Sequence, residues 1–377
     1  MGGAFTDKLT WRWCFYINLP FGGVAAVFIL LFLPAPKKDR LTRLSLKEQI
    51  LRIDIEGNLC FLPGVISLLL ALQWGGSKYA WSDGRIIALF IVFGVLLIAF
   101  VAIQVWKQEK ATVPPRVFMN RSIWSCALYI TCFGGSFFIL LYYVSQRCPP
   151  KATASPPAHF PQVPIWFQAI KGASAVKSGI MNIPLILSLV IASIVSGAAV
   201  ATIGHYIPFI YLSVILSSVG AGLLSTFTVD TAHPKWIGYL AMCGMGFGSG
   251  MQQPLIVAQT VLPAADVPIG TALLTFAQAF GGALFVSVAQ NVFTNQLIKN
   301  LGGLPDVNLA VVLNTGATEL QNSVPPELLR SVLVAYNGAL AHTWYVAVAL
   351  SSLSLIGVVF IEWRSVKGKK IEMAAGA

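Results

Sequence analysis

The chain has 377 residues, of which 56% are apolar and only 10% charged, a balance too poor in polar side chains to cover a soluble globule of this length. Composition therefore places it in a bilayer. The net charge of +11 does not point to nucleic acid, because Lys and Arg lie in short loops between apolar runs, where positive charge sets membrane topology.

The first predicted span is Cys14 to Leu33, which carries no charged side chain. At ~1.5 Å per residue such a run crosses a hydrocarbon core of about 30 Å. Trp11, Arg12 and Trp13 sit where interfacial rings and a snorkelling guanidinium belong. No basic n-region with a small-residue cleavage site precedes the run, so the span would act as its own insertion signal. A basic stretch follows, with Lys37, Lys38, Arg40, Arg43, Lys47 and Arg52. Leu44, Leu46, Ile50, Leu51 and Ile53 make it either an interfacial amphipathic helix or a solvated connector, and both readings stay open.

The second and third spans are predicted at Ile55–Trp74 and Arg85–Trp106, followed by a second basic loop with Lys107, Lys110, Arg116 and Arg121. The fourth runs Ser122–Val144, and four more follow at Ser178–Ala201, Ile207–Phe227, Trp236–Ala258 and Ile269–Phe293. A polar segment, Thr294–Ala341, separates these from the last span, His342–Ile361, after which come Arg364, Lys367, Lys369 and Lys370. Within that polar segment, Ser323-Val-Pro-Pro-Glu327 reads as a capped start for an amphipathic helix. The pattern is all-α, a polytopic transmembrane bundle of about nine spans. With alternating sides, fourteen of the 25 Lys and Arg residues fall on the side of the Lys37–Arg52 loop, which makes that side cytoplasmic and the 294–341 segment an extracellular loop.

Chemistry-bearing motifs are sparse. The six cysteines, at 14, 60, 126, 132, 148 and 243, form no CxxC or zinc-type spacing, so neither a disulfide framework nor a metal site is expected. His159, His205, His233 and His342 are scattered, no HExxH or GxSxG occurs, and an enzyme or cofactor reading has no support. Gly244, Gly246, Gly248 and Gly250 resemble a phosphate loop only superficially, since no strand precedes them. Spaced four apart, Gly244/Gly248 and Gly246/Gly250 suit close helix packing, as do Gly281 and Gly282. Amides inside apolar runs are costly unless they face a cavity or a neighbouring helix. Trp166, Gln168, Asn182, Gln252, Gln253 and Gln278 are accordingly candidates for a drug-sized path, with Gln259 and Gln290 behind them. For any one of them interhelical glue is the equal alternative. Asp54 and Glu56 stand at the edge of the second span, where boundary solvation or headgroup contact is expected.

The string GGAFTDKLTWRWCFYINLPFGG resembles the end of span five and the start of span six in fungal fourteen-span drug:proton antiporters of the major facilitator superfamily, a group that includes mycotoxin efflux pumps. QQPLIVAQTVLPAADVPIGTALLTFAQAFGGALFVSVAQNVF carries the same resemblance. It implies a partial major facilitator fold in which Gly2 and Gly3 are the end of the antiporter motif and residues 1–34 include the last helix of the amino-terminal bundle. Residues 35–54 would be a cytoplasmic loop, 55–121 the central helix pair with its basic loop, 122–362 the carboxy-terminal six-helix bundle and 363–377 a basic tail. The implied activity is proton-coupled efflux of hydrophobic small molecules, with membrane lipid as the other partner, in the plasma membrane or alternatively the vacuolar membrane. The resemblance also implies that five earlier spans belong to such a protein. The alternative is then a truncated or mis-spliced, non-transporting fragment.

The family resembles a version in which LLYYVPIWFQAIKGASA is nearly continuous, whereas here SQRCPPKATASPPAHFPQ, residues 145–162, interrupts it. Val-Ser-Gln can be written with a donor-like GTGAGT, and the segment can end in a pyrimidine tract and CAG, which suggests a retained intron. A true extracellular loop is the other reading. Messenger RNA sequenced across these codons is expected to lack them after splicing; mature transcripts that all keep them would exclude the intron.

Overall fold

The structure is a computed structural model that describes residues 12–32, 54–76, 78–145, 166–173, 175–303, 312 and 324–367. Gly2, Gly3, Lys37, Lys38, Arg40 and Arg43, and all but Ser145 of the 145–162 segment, lie outside the described residues. Every named element among the described residues is helical, as hydrocarbon requires of a spanning chain that must satisfy its own backbone hydrogen bonds.

A short turn of helix, Trp13–Tyr16, leads into α1, Asn18–Phe32, none of whose residues is buried. Helices α2 (Ile55–Trp74) and α3 (Gly84–Lys107) form an antiparallel hairpin. Then come α4 (Arg121–Ser145), α5 (Ile183–Ile203), α6 (Ile207–Leu224), α7 (His233–Gly250), α8 (Gln253–Val261), α9 (Val267–Leu301) and α10 (Pro326–Val359). Counting the described residues alone, seven helical segments are long and apolar enough to cross a membrane. Of the other two predicted runs, the first is represented by the 15-residue α1. The seventh is split into α7 and α8.

Proline explains that split. Pro254 has no N–H to offer the carbonyl of Gly250, so the helix stops at Gly250 and restarts at Gln253. A second difference lies in the segment expected as a long polar loop, Thr294–Ala341. Helix α9 continues to Leu301 and α10 already begins at Pro326, where Pro325 and Pro326 set the entry of the chain. The start predicted near Ser323 is therefore the start of the last span itself rather than of a separate helix. Leu297, Leu301, Val332, Leu333 and Tyr336 are buried along this extension, and Asn300 Nδ2 donates to the Ala335 carbonyl at 2.9 Å. Side-by-side packing keeps both helices going past the point where their composition turns polar.

Helices α4 to α10 make one bundle. Helix α4 runs through it against α8, α9 and α10, α7 lies between α5 and α6, and α6 closes onto α10. The α2–α3 hairpin leans on α9 through α2: Phe61 contacts Phe276 at 5.1 Å between ring centres, and Asn291 Nδ2 donates to the Leu72 carbonyl at 2.7 Å. Asp54, Arg116, Asp266 and Glu362 all sit at one end of the bundle, in keeping with helices that alternate direction.

Glycines set the spacing of this bundle. A Cβ on Gly244 or Gly248 would strike the carbonyls of Leu185 and Leu189 on α5, while one on Gly246 would come within 2.5 Å of the Ser217 amide on α6. On Gly250 it would collide with Ser213 on α6 and Tyr129 on α4. The two small-residue rows of α7 thus face two different helices. At the α4–α9 seam Gly281 abuts the Thr131 carbonyl and Gly282 the Phe138 ring, and in return Gly134 meets Gln278 and Gly135 meets Phe285. Gly238, by contrast, has no neighbour within 4 Å of its Cβ position. Gly246→Ala is therefore expected to cost about 1–3 kcal/mol through forced separation of α7 and α6. Gly238→Ala should be neutral or stabilising by up to about 1 kcal/mol. Thermal unfolding midpoints in detergent check this, and equal midpoints for the two variants would contradict it.

Candidate functional site

Trp166 and Gln168 lie on one turn of π-helix, Trp166–Ile170, in which every residue is buried. The Trp166 indole N–H donates to Asn337 Oδ1 at 2.9 Å, and Asn337 Nδ2 in turn donates to the Phe227 carbonyl at 2.7 Å. The Trp166 ring lies 4.6 Å from Phe227 and 5.1 Å from Phe167, and Phe167 lies 5.1 Å from Trp236. Lys171 Nζ sits 5.6 Å over the Trp166 ring and donates to the Val229 and Thr231 carbonyls. This aromatic knot docks the turn onto α10 and the far end of α6. Within it, both ends of the Gln168 amide are buried without a hydrogen-bond partner.

The other amides are spread through the bundle. Gln253 is fully buried; its Nε2 donates to the Ser249 carbonyl at 3.0 Å, and its Oε1 has no partner. Gln252 beside it is exposed. Asn182 stands before α5 with Nδ2 3.5 Å from the Ser178 carbonyl and Oδ1 buried and unpartnered. Gln278 is half-buried against Gly134, and Gln259 is exposed. Gln290 accepts from the Tyr143 hydroxyl at 3.2 Å and donates to Thr294 at 3.4 Å. Two pairs are thus brought together, Trp166 with Gln168 on the π-turn and Gln252 with Gln253 at the α7–α8 break. Asn182 and Gln278 stand apart from both.

The charged end of the bundle holds groups whose partners no local pattern announces. Asp54 is 4% exposed and caps α2 by accepting from the Gly57 amide at 3.0 Å. It also accepts from Gln104 Nε2 at 2.7 Å, from Lys107 Nζ at 3.0 Å, and from the amide and hydroxyl of Thr112, both at 3.2 Å. Burial alone would raise its pKa, but the donors at Gly57, Lys107, Gln104 and Thr112 outweigh it and hold the carboxyl well below the usual carboxylate range. Boundary solvation, expected from its position at a span edge, is not what surrounds it. An aspartate directly before an apolar run is a signal that could have found the cap; the partners fifty and more residues away leave no such signal.

Lys107 pairs with Glu56 as well, at 2.9 Å, and so joins α3 to the start of α2. Arg116 spans two carboxylates, Glu109 at 3.0 Å and Asp266 at 2.7 Å, which ties the α3–α4 loop to the start of α9. Those partners outweigh the small opposing effect of desolvation and give the guanidinium a pKa above its already high ordinary value, with Glu109 the larger cause and Asp266 next. Both basic residues, expected as topology markers, also hold named partners.

Comparison with known proteins agrees with this architecture. The family model described as Major Facilitator Superfamily matches residues 1–286. The chain is 53% identical over 376 residues to the MFS-type efflux pump MFS1 of Arthroderma benhamiae, covering all of this chain and 67% of that protein. It is 49% identical to the efflux pump roqT of Penicillium rubens, over 97% of this chain and 65% of the relative. It is 48% identical to the MFS-type transporter astH of Aspergillus oryzae, over 98% of this chain and 62% of the relative. The chain thus spans about two thirds of the length of these relatives, which are transporters rather than enzymes. It is a multi-pass membrane protein and belongs to the major facilitator superfamily, within the group of its efflux pumps.

Proposed function

We propose that these helices form the carboxy-terminal bundle and central helix pair of a proton-coupled antiporter that exports hydrophobic small molecules by alternating access. The observation that carries this reading is the break between α7 and α8, where Gln252 and Gln253 stand next to Pro254 and the buried Gln253 Oε1 has no partner. Interrupted helices with free polar groups are a recurrent way of building transport sites at depth in a bilayer. On this reading Trp166, Gln168, Asn182, Gln252, Gln253 and Gln278 are contacted by substrate at different stages of the cycle. The plasma membrane is the proposed location.

Proton coupling needs a group that changes charge, and among the described residues α4 to α9 contain neither Asp nor Glu, while their one histidine, His233, stands exposed at the first turn of α7 rather than at depth. Asp54 does not fill the gap. Its folded pKa lies below its unfolded value, so its contribution to stability is complete above about pH 4 and is lost only as pH falls through the lower folded value. The coupling group is accordingly assigned outside these helices. That favours a second reading, in which this polypeptide by itself does not perform coupled transport.

Two experiments follow from this. In cells expressing the transporter, Gln253→Ala and Gln168→Ala are expected to change the relative efflux of two hydrophobic dyes by up to about tenfold at unchanged abundance. Loss of abundance with unaltered preference would reassign both residues to helix packing. Asp54→Asn is expected to lower stability in detergent by about 1–3 kcal/mol, and by the same amount anywhere between about pH 5 and 8. A deficit that shrinks toward the acidic end would show that Asp54 titrates in that range.

A further inference from the structure

At the end of the bundle away from Arg116 and Asp266, a cavity of about 400 Å³ opens between the last turn of α2, the α2–α3 turn and α9, lined by Leu72, Trp81, Val288, Asn291, Val292 and Lys299 among others. Its surroundings mark a membrane–water boundary. Lys78 lies 5.5 Å over the rings of both Trp74 and Tyr79, and Arg85 lies 5.0 Å over Tyr79, a belt of rings and cations of the kind found at headgroup level. Helix α9 has 35 residues, about 52 Å at ~1.5 Å each, so its last turns outrun a hydrocarbon core of about 30 Å.

The lining changes character along one face of α9. Residues 288, 291, 292, 295 and 299 recur at helical spacing, and their polarity rises from Val288 and Val292 through Asn291 and Asn295 to Lys299. Asn291 is 8% exposed and held in place, because its Nδ2 donates to the Leu72 and Ser287 carbonyls at 2.7 and 3.1 Å. Its Oδ1 is buried with no hydrogen-bond partner and so calls for a donor. Lys299 is exposed and pairs with no carboxylate among the described residues. It calls for an anion.

We propose that this cavity binds a phosphate-headed lipid that carries an N–H or O–H donor just below its phosphate, the arrangement of a phosphosphingolipid. Acyl chains lie along Leu72, Val288 and Val292, the amide or hydroxyl of the lipid backbone donates to Asn291 Oδ1, and the phosphate meets Lys299. The order along α9 selects this class. Asn291 lies about 12 Å deeper than Lys299 at ~1.5 Å per residue, and a lysine side chain leans back toward the helix N-terminus, which closes part of that gap. A diacyl glycerophospholipid offers only ester oxygens at the depth of Asn291 and leaves its carbonyl unmet.

The whole chain, purified in detergent, is incubated with an equimolar mixture of ceramide phosphate and phosphatidic acid of matched chains, and the lipids retained after washing are counted by mass spectrometry. Ceramide phosphate is expected in about tenfold excess, the effect of one unmet buried acceptor. Lys299→Gln, a change on an exposed side chain, is expected to lower retention of both lipids several-fold, and Asn291→Ala to abolish the preference between them. Equal retention by the unaltered chain, or unchanged retention by Lys299→Gln, would overturn the proposal. Displacement of the lipid by inorganic phosphate alone would overturn it too, and would assign the site to a free anion.

Discussion

Lipid tails are as apolar as leucine, so helices inside a bilayer gain nothing by hiding apolar side chains from one another. What remains is contact, and contact is best where backbones touch. In this protein that happens at α7, whose two glycine rows admit the carbonyls of Leu185 and Leu189 from one side and the amide of Ser217 from the other. The same device recurs at the centre of the bundle, where Gly281 accepts the Thr131 backbone and Gly357 the backbone of Ser125 and Tyr129. Surfaces joined this closely cannot slide past each other by less than a residue without collision. Helices α4 to α10 therefore have reason to move as one body, which is what a rocking half of a transporter requires.

The α2–α3 hairpin is fastened to that body by different means. In mid-membrane the join is aromatic, Phe61 against Phe276, and at one end it is the Asn291 amide on the Leu72 carbonyl. At the charged end Arg116 reaches across to Asp266 of the bundle, while Asp54 holds the hairpin and its following loop together. The Arg116–Glu109 pair is open to water at both ends, 55% and 66% exposed, and such pairs are worth little individually, whereas the Asp266 carboxylate that Arg116 also holds is only 8% exposed. The Asp54 side chain is 1% exposed and receives donors from four residues, so leaving it unpaired would be far more costly. Asp54 is thus the fixed point of the hairpin, and of the two Arg116 contacts the one to Glu109 is the one that can open at small cost, since releasing Asp266 would leave a buried carboxylate unpaired.

Much of this was legible in the chain because hydrocarbon forces a simple code. The bounds of α2 coincide with the apolar run Ile55–Trp74, and the spacing of Gly244, Gly246, Gly248 and Gly250 already marks two small faces. Spacing does not say which helices fill those faces. The long ends of α9 and α10 were hidden because their residues are polar on average, and only the seam of Leu297, Leu301, Val332 and Leu333 shows why they remain helical. Asp54 was legible as a carboxylate at a span edge but not as a buried hub, since Gln104, Lys107 and Thr112 arrive from the far end of α3 and the loop beyond it. Trp166 illustrates the same limit, because nothing within its own segment announces Asn337 on α10 as the partner of its indole.

An aspartate held ionised has a consequence for how a cycle could be driven. A carrier must be protonated in one state and ionised in another, and so needs surroundings that favour neither form by much. Asp54 has the opposite surroundings: every donor around it favours the ionised form, and neutralising it would strand those donors in a buried place. Apart from His233, exposed at the first turn of α7, the described helices α4 to α9 carry neither histidine nor carboxylate, and the candidate path residues among them are amides. Within the proposed antiporter, then, this bundle recognises cargo and transmits motion through its glycine seams. On that proposal the free energy that moves it would enter through residues outside α4 to α9.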